Sequence, residues 1–307
     1  MNILMLGAGG IGGFLAAKLA PAGHSVSLLA RGAHLAAIRE AGLKLVMDGT
    51  ETVIRPDAVS DRLEDLPPAD LAVFAVKGQD MEAMIAAYLP HAGPKTLVLP
   101  FQNGVDAPDL LAAAFGDART LIGVARIFSN ITAPGVVTQY GGGSAFTIGD
   151  RQGSQTSPEV AKVIEAFRSA AITVPERADV TVDLWQKFLL FNAVSGTTAA
   201  ARCRFREIRA NPELMEFFRG LVREADAVGR ARGVDLPADA VEKTLQFWSR
   251  LPDEARASTA HDLELGKPLE VDRICGAVSR MGRELGVPTP NSAAVAAVLA
   301  PYRAGTA

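Results

Sequence analysis

The sequence of 307 residues has only two cysteines, Cys203 and Cys275, and four scattered histidines, His24, His34, His91 and His261. Two cysteines make no disulfide framework, and neither residue type falls at the spacing of a zinc or other metal site. No apolar run approaches the roughly 20 residues of a membrane-spanning helix. The opening MNILMLGAGG turns glycine-rich from Gly7, unlike a secretory leader. There is no excess of one charge either. Lys and Arg number 31 against 34 Asp and Glu, interspersed, for a net charge of -3, so neither a nucleic-acid surface nor a membrane-seeking basic face is expected. These absences point to a reduced, cytoplasmic protein without a metal.

What is present is the balance of an ordinary globular protein, 49% apolar and 21% charged, in a chain long enough for two domains. The first half alternates short apolar runs (NILML, SVSLLA, DLAVFAVK, TLVLPFQ) with stretches of helical spacing (IGGFLAAKLAPAG, AHLAAIREAG, MEAMIAAYL, DLLAAAF). Continuous apolar runs of this length are strands buried on both faces, and their alternation with helices implies a doubly wound parallel sheet. LKLVMDGTETVIRP interrupts the pattern, with Asp48-Gly49 as a hairpin turn. Further strands are expected from about Thr120 to Gly149, with turns at Pro134-Gly135 and at Gly141–Gly143, then a helix in SPEVAKVIEAFRSA and a last strand in ITVPE. Beyond Ala178 strand runs vanish. Helical patterns cover Val180–Ala201, Pro212–Arg232, Ala238–Arg250, Glu270–Leu285 and Asn291–Leu299. The expected architecture is α/β, with an N-terminal Rossmann-type domain over 1–178 and an all-helical domain over 179–307.

GAGGIGG sets Gly7, Gly9 and Gly12 in the G-x-G-x-x-G spacing, after a strand and at the start of a helix. Gly7 allows the tight turn, Gly9 lets the backbone approach a pyrophosphate, and Gly12 lets the helix pack close to the sheet. Free N–H groups at the helix start would hold the phosphates. A glycine-rich turn without a ligand has the same letters, but rarely the same context. At the end of the second strand, where NAD proteins carry an acid for the ribose hydroxyl, the sequence reads LLARGAH. Arg31 suits a 2′-phosphate and so favours NADP, although a solvated loop arginine is the plainer alternative. AVKGQD and PFQNGVD end later strands on the same side of the sheet, which makes Lys77 and Asn103 candidates for contact with cofactor or substrate. Their plain alternatives are a solvated lysine and an Asn-Gly turn.

LWQKFLLFNAVSG, from Leu184 to Gly196, holds one charge, Lys187, in an otherwise apolar or small helix. An apolar helix is a buried one. Burial lowers a lysine pKa toward values useful for proton donation, unless the stem is buried and the head reaches water. A carboxylate partner is available in LGKPLEVDRICG, where Glu270 and Asp272 follow Pro268 and would otherwise serve as helix-start acids. His261 beside Asp262 is no acid–base pair, because adjacent helical residues do not face each other.

Together, LGAGGIGG, AVKGQD, QNGVD, LWQKF, DLELGKPLEVD and RELGVPTPN make the chain resemble the ketopantoate reductase (2-dehydropantoate 2-reductase) family over essentially its whole length. The resemblance implies a Rossmann domain, a helical domain and a substrate cleft between them. It implies NADPH-dependent reduction of 2-dehydropantoate to (R)-pantoate, on the route to pantothenate, and it allows a homodimer. Carried over by position, Arg31 meets the 2′-phosphate, and Lys77 and Asn103 lie near cofactor and substrate. Lys187 is the general acid, Glu270 positions the substrate through its hydroxyl, and Ser258 contacts the substrate carboxylate. One departure stands out. Many members carry asparagines four and eight residues after the lysine, and here those positions are Phe191 and Ser195. Asn192 is one residue off, about 100° around the helix. A paralogue reducing another 2-keto acid therefore stays open, as does a non-catalytic NADP-binding sensor.

Overall fold

The computed structural model describes residues 1–306, which divide into two compact units, 1–102 with 107–181, and 103–106 with 182–307. Strands are numbered β1 (Asn2–Leu6), β2 (Ser25–Leu29), β3 (Leu43–Met47), β4 (Thr50–Ile54), β5 (Ala58–Ser60), β6 (Leu71–Phe74), β7 (Leu97–Pro100), β8 (Ile122–Ala133) and β9 (Val136–Gly149). The first unit also holds α1 (Gly10–Leu19), α2 (Gly32–Ala41), α3 (Met81–Tyr88), α4 (Ala107–Phe115) and α5 (Pro158–Ser169).

The apolar runs expected as buried strands form a parallel five-stranded sheet in the order β5-β2-β1-β6-β7. Strand alternation sends side chains to opposite faces. Ile3 and Met5 of β1 join one core with Phe14 and Leu15 of α1 and Val163 and Phe167 of α5. Leu4 and Leu6 join a second core with Met81 and Tyr88 of α3 and Leu111 and Phe115 of α4. One five-residue strand thus serves two cores, each large side chain contributing about 1.5–3 kcal/mol on burial. The strand order reverses between β1 and β6, and ligands of such sheets bind where it reverses, at the carboxyl ends of the strands.

A second sheet, in the order β4-β3-β9-β8, was not separable in the sequence. β3 and β4 pair antiparallel across Asp48 and Gly49, whose φ values of 48° and 76° are those of the expected hairpin turn. Pro134-Gly135 also turns, joining β8 to β9. Two expectations need correction. Gly141–Gly143 is no turn: it lies inside β9, where the pairing slips from Arg126↔Ala145 to Phe128↔Tyr140, so the glycines absorb a bulge. ITVPE is no strand, only a single bridge between Thr173 and Ala145.

The second unit is helical: α6 (Val180–Ala200, entering from the first unit), α7 (Phe205–Ala210), α8 (Pro212–Ala231), α9 (Ala240–Ser249), α10 (Ser258–Glu264), α11 (Cys275–Leu285) and α12 (Pro290–Leu299). Among the described residues no helix is long and apolar enough to cross a membrane. α6 is buried on most of its circumference, through Leu184, Trp185, Phe188, Leu189, Ala193 and Val194. The helix expected from Glu270 starts later. Glu270 precedes a single 3-10 turn, Val271–Arg273, and the α-helix begins at Cys275. α7 and α10 are too short to show a period, and the sequence reading missed both. The GVPTPN segment has a structural use. Glu224 of α8, nearly buried, accepts hydrogen bonds from Asn291 N (2.7 Å), Asn291 Nδ2 (2.8 Å) and Ser292 N (2.8 Å). A carboxylate thus satisfies the open N–H groups at the start of α12.

Candidate active site

In the first unit the site is built from backbone. Gly7 follows β1 with φ 110°, and a Cβ there would stand 3.0 Å from the carbonyl oxygen of Ala75, just beyond β6. At Gly12 a Cβ would fall 2.0 Å from the Gly7 oxygen and 3.1 Å from Ala75 Cβ, so α1 can start against the sheet only as glycine. Gly9 is different. Its Cβ would meet nothing nearer than Ala75 O at 4.0 Å, so packing does not demand glycine, and the space over its backbone is open. That is the fit required by a pyrophosphate lying on the backbone at the N-terminus of α1.

The loop holds two more glycines, which the fingerprint does not explain. A Cβ at Gly10 would fall 2.1 Å from Ser129 O of β8, and one at Gly13 would fall 2.7 Å from Val137 Cγ2 of β9. The β8–β9 hairpin therefore rests on the first turn of α1. The signal was visible in GAGGIGG, but its partner is more than a hundred residues away.

Arg31 is exposed and immediately precedes α2, with extended backbone (φ -140°, ψ 161°) just past the end of β2. Lys77 is exposed just past β6 and precedes a 3-10 turn at Gly78–Asp80. Gln102, buried past the end of β7, donates to the carbonyls of Phe74 and Val76, both at 2.9 Å, and so ties the ends of β6 and β7 together.

In the second unit the site is built from side chains. Lys187 lies half-buried on α6, and its Nζ donates to Asn103 Oδ1 at 3.2 Å. The ammonium also stands 5.6 Å from the ring centroid of Phe191, one turn along, within reach of a cation–π attraction. Asn103 is held from below. Gly104 has φ 105°, and a Cβ on it would fall 2.6 Å from Arg273 O. Asp106 is 6% exposed and accepts from Arg273 Nη1 at 3.0 Å and Arg280 Nη2 at 2.9 Å. Breaking a buried ion pair such as Asp106–Arg273 costs about 3–5 kcal/mol, so the loop is firmly seated, while the Arg280 side chain is partly exposed and adds less. Arg273 N in turn donates to the Glu270 carbonyl at 3.0 Å. Asn103 and the segment carrying the buried Glu270 are thereby fixed to one frame. Sequence reading missed Asp106, Arg273 and Arg280. They stood in QNGVD, VDRIC and VSRMG as ordinary charges, and only the fold pairs them.

The polar groups near Lys187 on α6 are turned inward. Asn192 is fully buried and its Nδ2 donates to Leu221 O at 3.0 Å. Ser195 is 1% exposed. Ser258 stands exposed at the first residue of α10. Of the residues singled out in this unit, Lys187 and Asn103 are in direct contact, while Ser258 is at the surface of its unit.

The profile described as "Ketopantoate reductase PanE/ApbA" matches residues 3–153, and "Ketopantoate reductase PanE/ApbA C terminal" matches residues 179–303. The chain belongs to the ketopantoate reductase family. It is accordingly an oxidoreductase. It is 31% identical to a 2-dehydropantoate 2-reductase of Mesorhizobium japonicum, over 97% of each chain. Among solved structures it resembles the 2-dehydropantoate 2-reductase of Methylococcus capsulatus, with 29% identity, TM-score 0.86, and 100% of this chain and 99% of that one covered. The Geobacter metallireducens enzyme of the same name gives 25% identity and TM-score 0.89, over 98% of this chain and 99% of that one. Family membership covers both units.

Proposed function

We propose that the chain is an NADPH-dependent 2-dehydropantoate reductase, forming (R)-pantoate for pantothenate synthesis in the cytoplasm. The observation that carries this reading is the contact of Lys187, on a largely buried helix, with Asn103 of the loop after β7, in a ketopantoate reductase family member. The open backbone at Gly9 supports a dinucleotide, and an arginine in place of an acid at position 31 supports NADPH over NADH.

In this reading the residues from Gly7 to Gly12 hold the pyrophosphate, Arg31 pairs with the 2′-phosphate, and Lys77 adds positive charge at the same edge of the sheet. When bound, the reduced nicotinamide supplies a hydride to the ketone carbon of the substrate. Negative charge then develops on the ketone oxygen. The Lys187 ammonium stabilises that oxygen and gives it a proton, leaving a hydroxyl. Asn103, accepting from Nζ, limits where the ammonium can point, so its remaining protons face the substrate. The Phe191 ring, 5.6 Å from Nζ, offers the ammonium a cation–π attraction. Glu270 holds the substrate through a hydroxyl, and Ser258 meets its carboxylate. Lys187 is reprotonated from solvent between turnovers.

A second reading, reduction of another 2-keto acid, is favoured by one observation. The group next to Lys187 along α6 is an aromatic ring, while Asn192 is spent on Leu221 O and Ser195 is buried. A substrate lying along that helix would meet an apolar surface there. Steady-state NADPH oxidation with 2-dehydropantoate, beside 2-keto acids with apolar branched or aromatic side chains, decides between the two. We expect the highest kcat/KM for 2-dehydropantoate. A higher value for an apolar acid establishes the second reading, and no oxidation with any of them removes both.

A further inference from the structure

His34 was set aside in the sequence because it has no metal-ligand spacing. In the structure it sits in the first turn of α2, half-buried, with both ring nitrogens engaged. Nε2 lies 2.9 Å from the carbonyl oxygen of Ala8, inside the glycine loop. Nδ1 lies 2.9 Å from the backbone nitrogen of Gly135, at the turn between β8 and β9. A carbonyl only accepts and a backbone N–H only donates. One neutral tautomer satisfies both contacts: Nε2–H donates to Ala8 O, and Nδ1 accepts from Gly135 N–H. The imidazole therefore joins the dinucleotide loop to a hairpin about a hundred residues away in sequence.

This tie does not act alone. The hairpin already rests on the start of α1, where Gly10 faces Ser129 O and Gly13 faces Val137. Those contacts fix the helix side of the loop. His34 fixes the other side, at Ala8, between Gly7 and the open backbone of Gly9. Gly135 is itself anchored, since its carbonyl accepts from Lys44 N at 2.9 Å. Burial lowers the His34 pKa from its ordinary 6.5, which keeps the ring in the neutral form that the two contacts require.

We infer that His34 is a positioning residue for the dinucleotide: by bridging Ala8 O and Gly135 N–H it holds the glycine loop in the shape that receives the pyrophosphate. The proposal rests on the reading of that loop as the NADPH site. It carries a signature that separates it from Arg31. The pyrophosphate is common to NADPH and NADH, so loosening the loop weakens both equally, whereas loss of a 2′-phosphate contact weakens NADPH alone.

The test is direct titration of nucleotide fluorescence for wild type, His34→Ala and His34→Gln, with NADPH and with NADH, at a temperature where circular dichroism shows all three folded. Two lost hydrogen bonds of about 1 kcal/mol each predict a Kd increase of up to roughly thirtyfold in His34→Ala, the same factor for each nucleotide. His34→Gln, whose amide N–H can still reach Ala8 O, recovers part of the affinity. KM for the keto acid stays within about twofold, because the substrate does not touch the loop. Unchanged Kd in a folded His34→Ala protein overturns the inference, as does a loss confined to NADPH. Should His34→Ala not fold, His34→Leu, which fills the space but makes neither hydrogen bond, carries the comparison, and wild-type Kd for both nucleotides in it has the same meaning. Absence of nucleotide binding by the wild type refutes the NADPH reading instead, so the two failures are distinct.

Discussion

The candidate residues of the two units are of opposite kinds. In the first, the proposed ligand surface is backbone, and the decisive residues are those without side chains: Gly7, Gly9, Gly10, Gly12 and Gly13. In the second, the proposed chemistry lies at side-chain ends, Lys187 and Asn103, with the Asn103 loop kept in place by the buried Asp106–Arg273 pair and the partly exposed Arg280. The difference predicts opposite sensitivities. The first half fails when atoms are added, the second when they are removed. It also separates binding from chemistry, since a backbone cradle offers N–H dipoles but no transferable proton at neutral pH, and an ammonium offers both charge and proton.

The strongest test of that contrast is Lys187→Ala. General-acid contributions run to about 10²–10⁴-fold, so kcat should fall by roughly a thousandfold while Kd for NADPH stays within about twofold. Near-normal turnover would remove the lysine from the chemistry, and a parallel loss of nucleotide affinity would dissolve the division of labour. The converse is Gly12→Ala. Its added Cβ meets the Gly7 carbonyl at 2.0 Å, and overpacking of this kind costs about 3 kcal/mol. Nucleotide affinity should drop about a hundredfold, read by the same titration. Wild-type affinity there would mean that the loop tolerates atoms and that the first half is not backbone-built. The smallest effect sharpens the comparison within the first unit, where Arg31 is an exposed side chain proposed to meet the cofactor. Arg31→Ala should weaken NADPH binding about tenfold and leave NADH nearly unchanged, the value expected for loss of one charged hydrogen-bonding partner. Equal losses for both nucleotides would show that Arg31 does not read the 2′-phosphate.

How much of this was legible in the sequence follows from the same contrast. The parallel strands were readable because burial on both faces leaves unbroken apolar runs. The Asp48-Gly49 turn was readable because two positive φ values in a row demand such residues. Lys187 stood out because a charge in an apolar helix requires an explanation. Long-range partners did not stand out. Gly10 and Gly13 looked like surplus glycine until β8 and β9 lay against them, and His34 looked unemployed until Ala8 and Gly135 met its ring. Gly141–Gly143 read as a turn because glycine marks turns and bulges alike, and only pairing with β8 distinguishes them. α7 and α10 are too short for periodicity, and the single 3-10 turn after Glu270 looks, in sequence, like the start of the helix that follows it.

The four residues Asn103–Asp106 lie in sequence between β7 and α4, yet they group with residues 182–307. No single crossover near residue 181 can therefore exchange the helical part between two such genes intact. The transplanted segment would arrive with Lys187, Arg273 and Arg280 but would face another protein's loop in place of Asn103 and Asp106. Recombinants are therefore expected to keep function only when residues 103–106 and the helices come from the same parent, despite the stretch of chain that separates them.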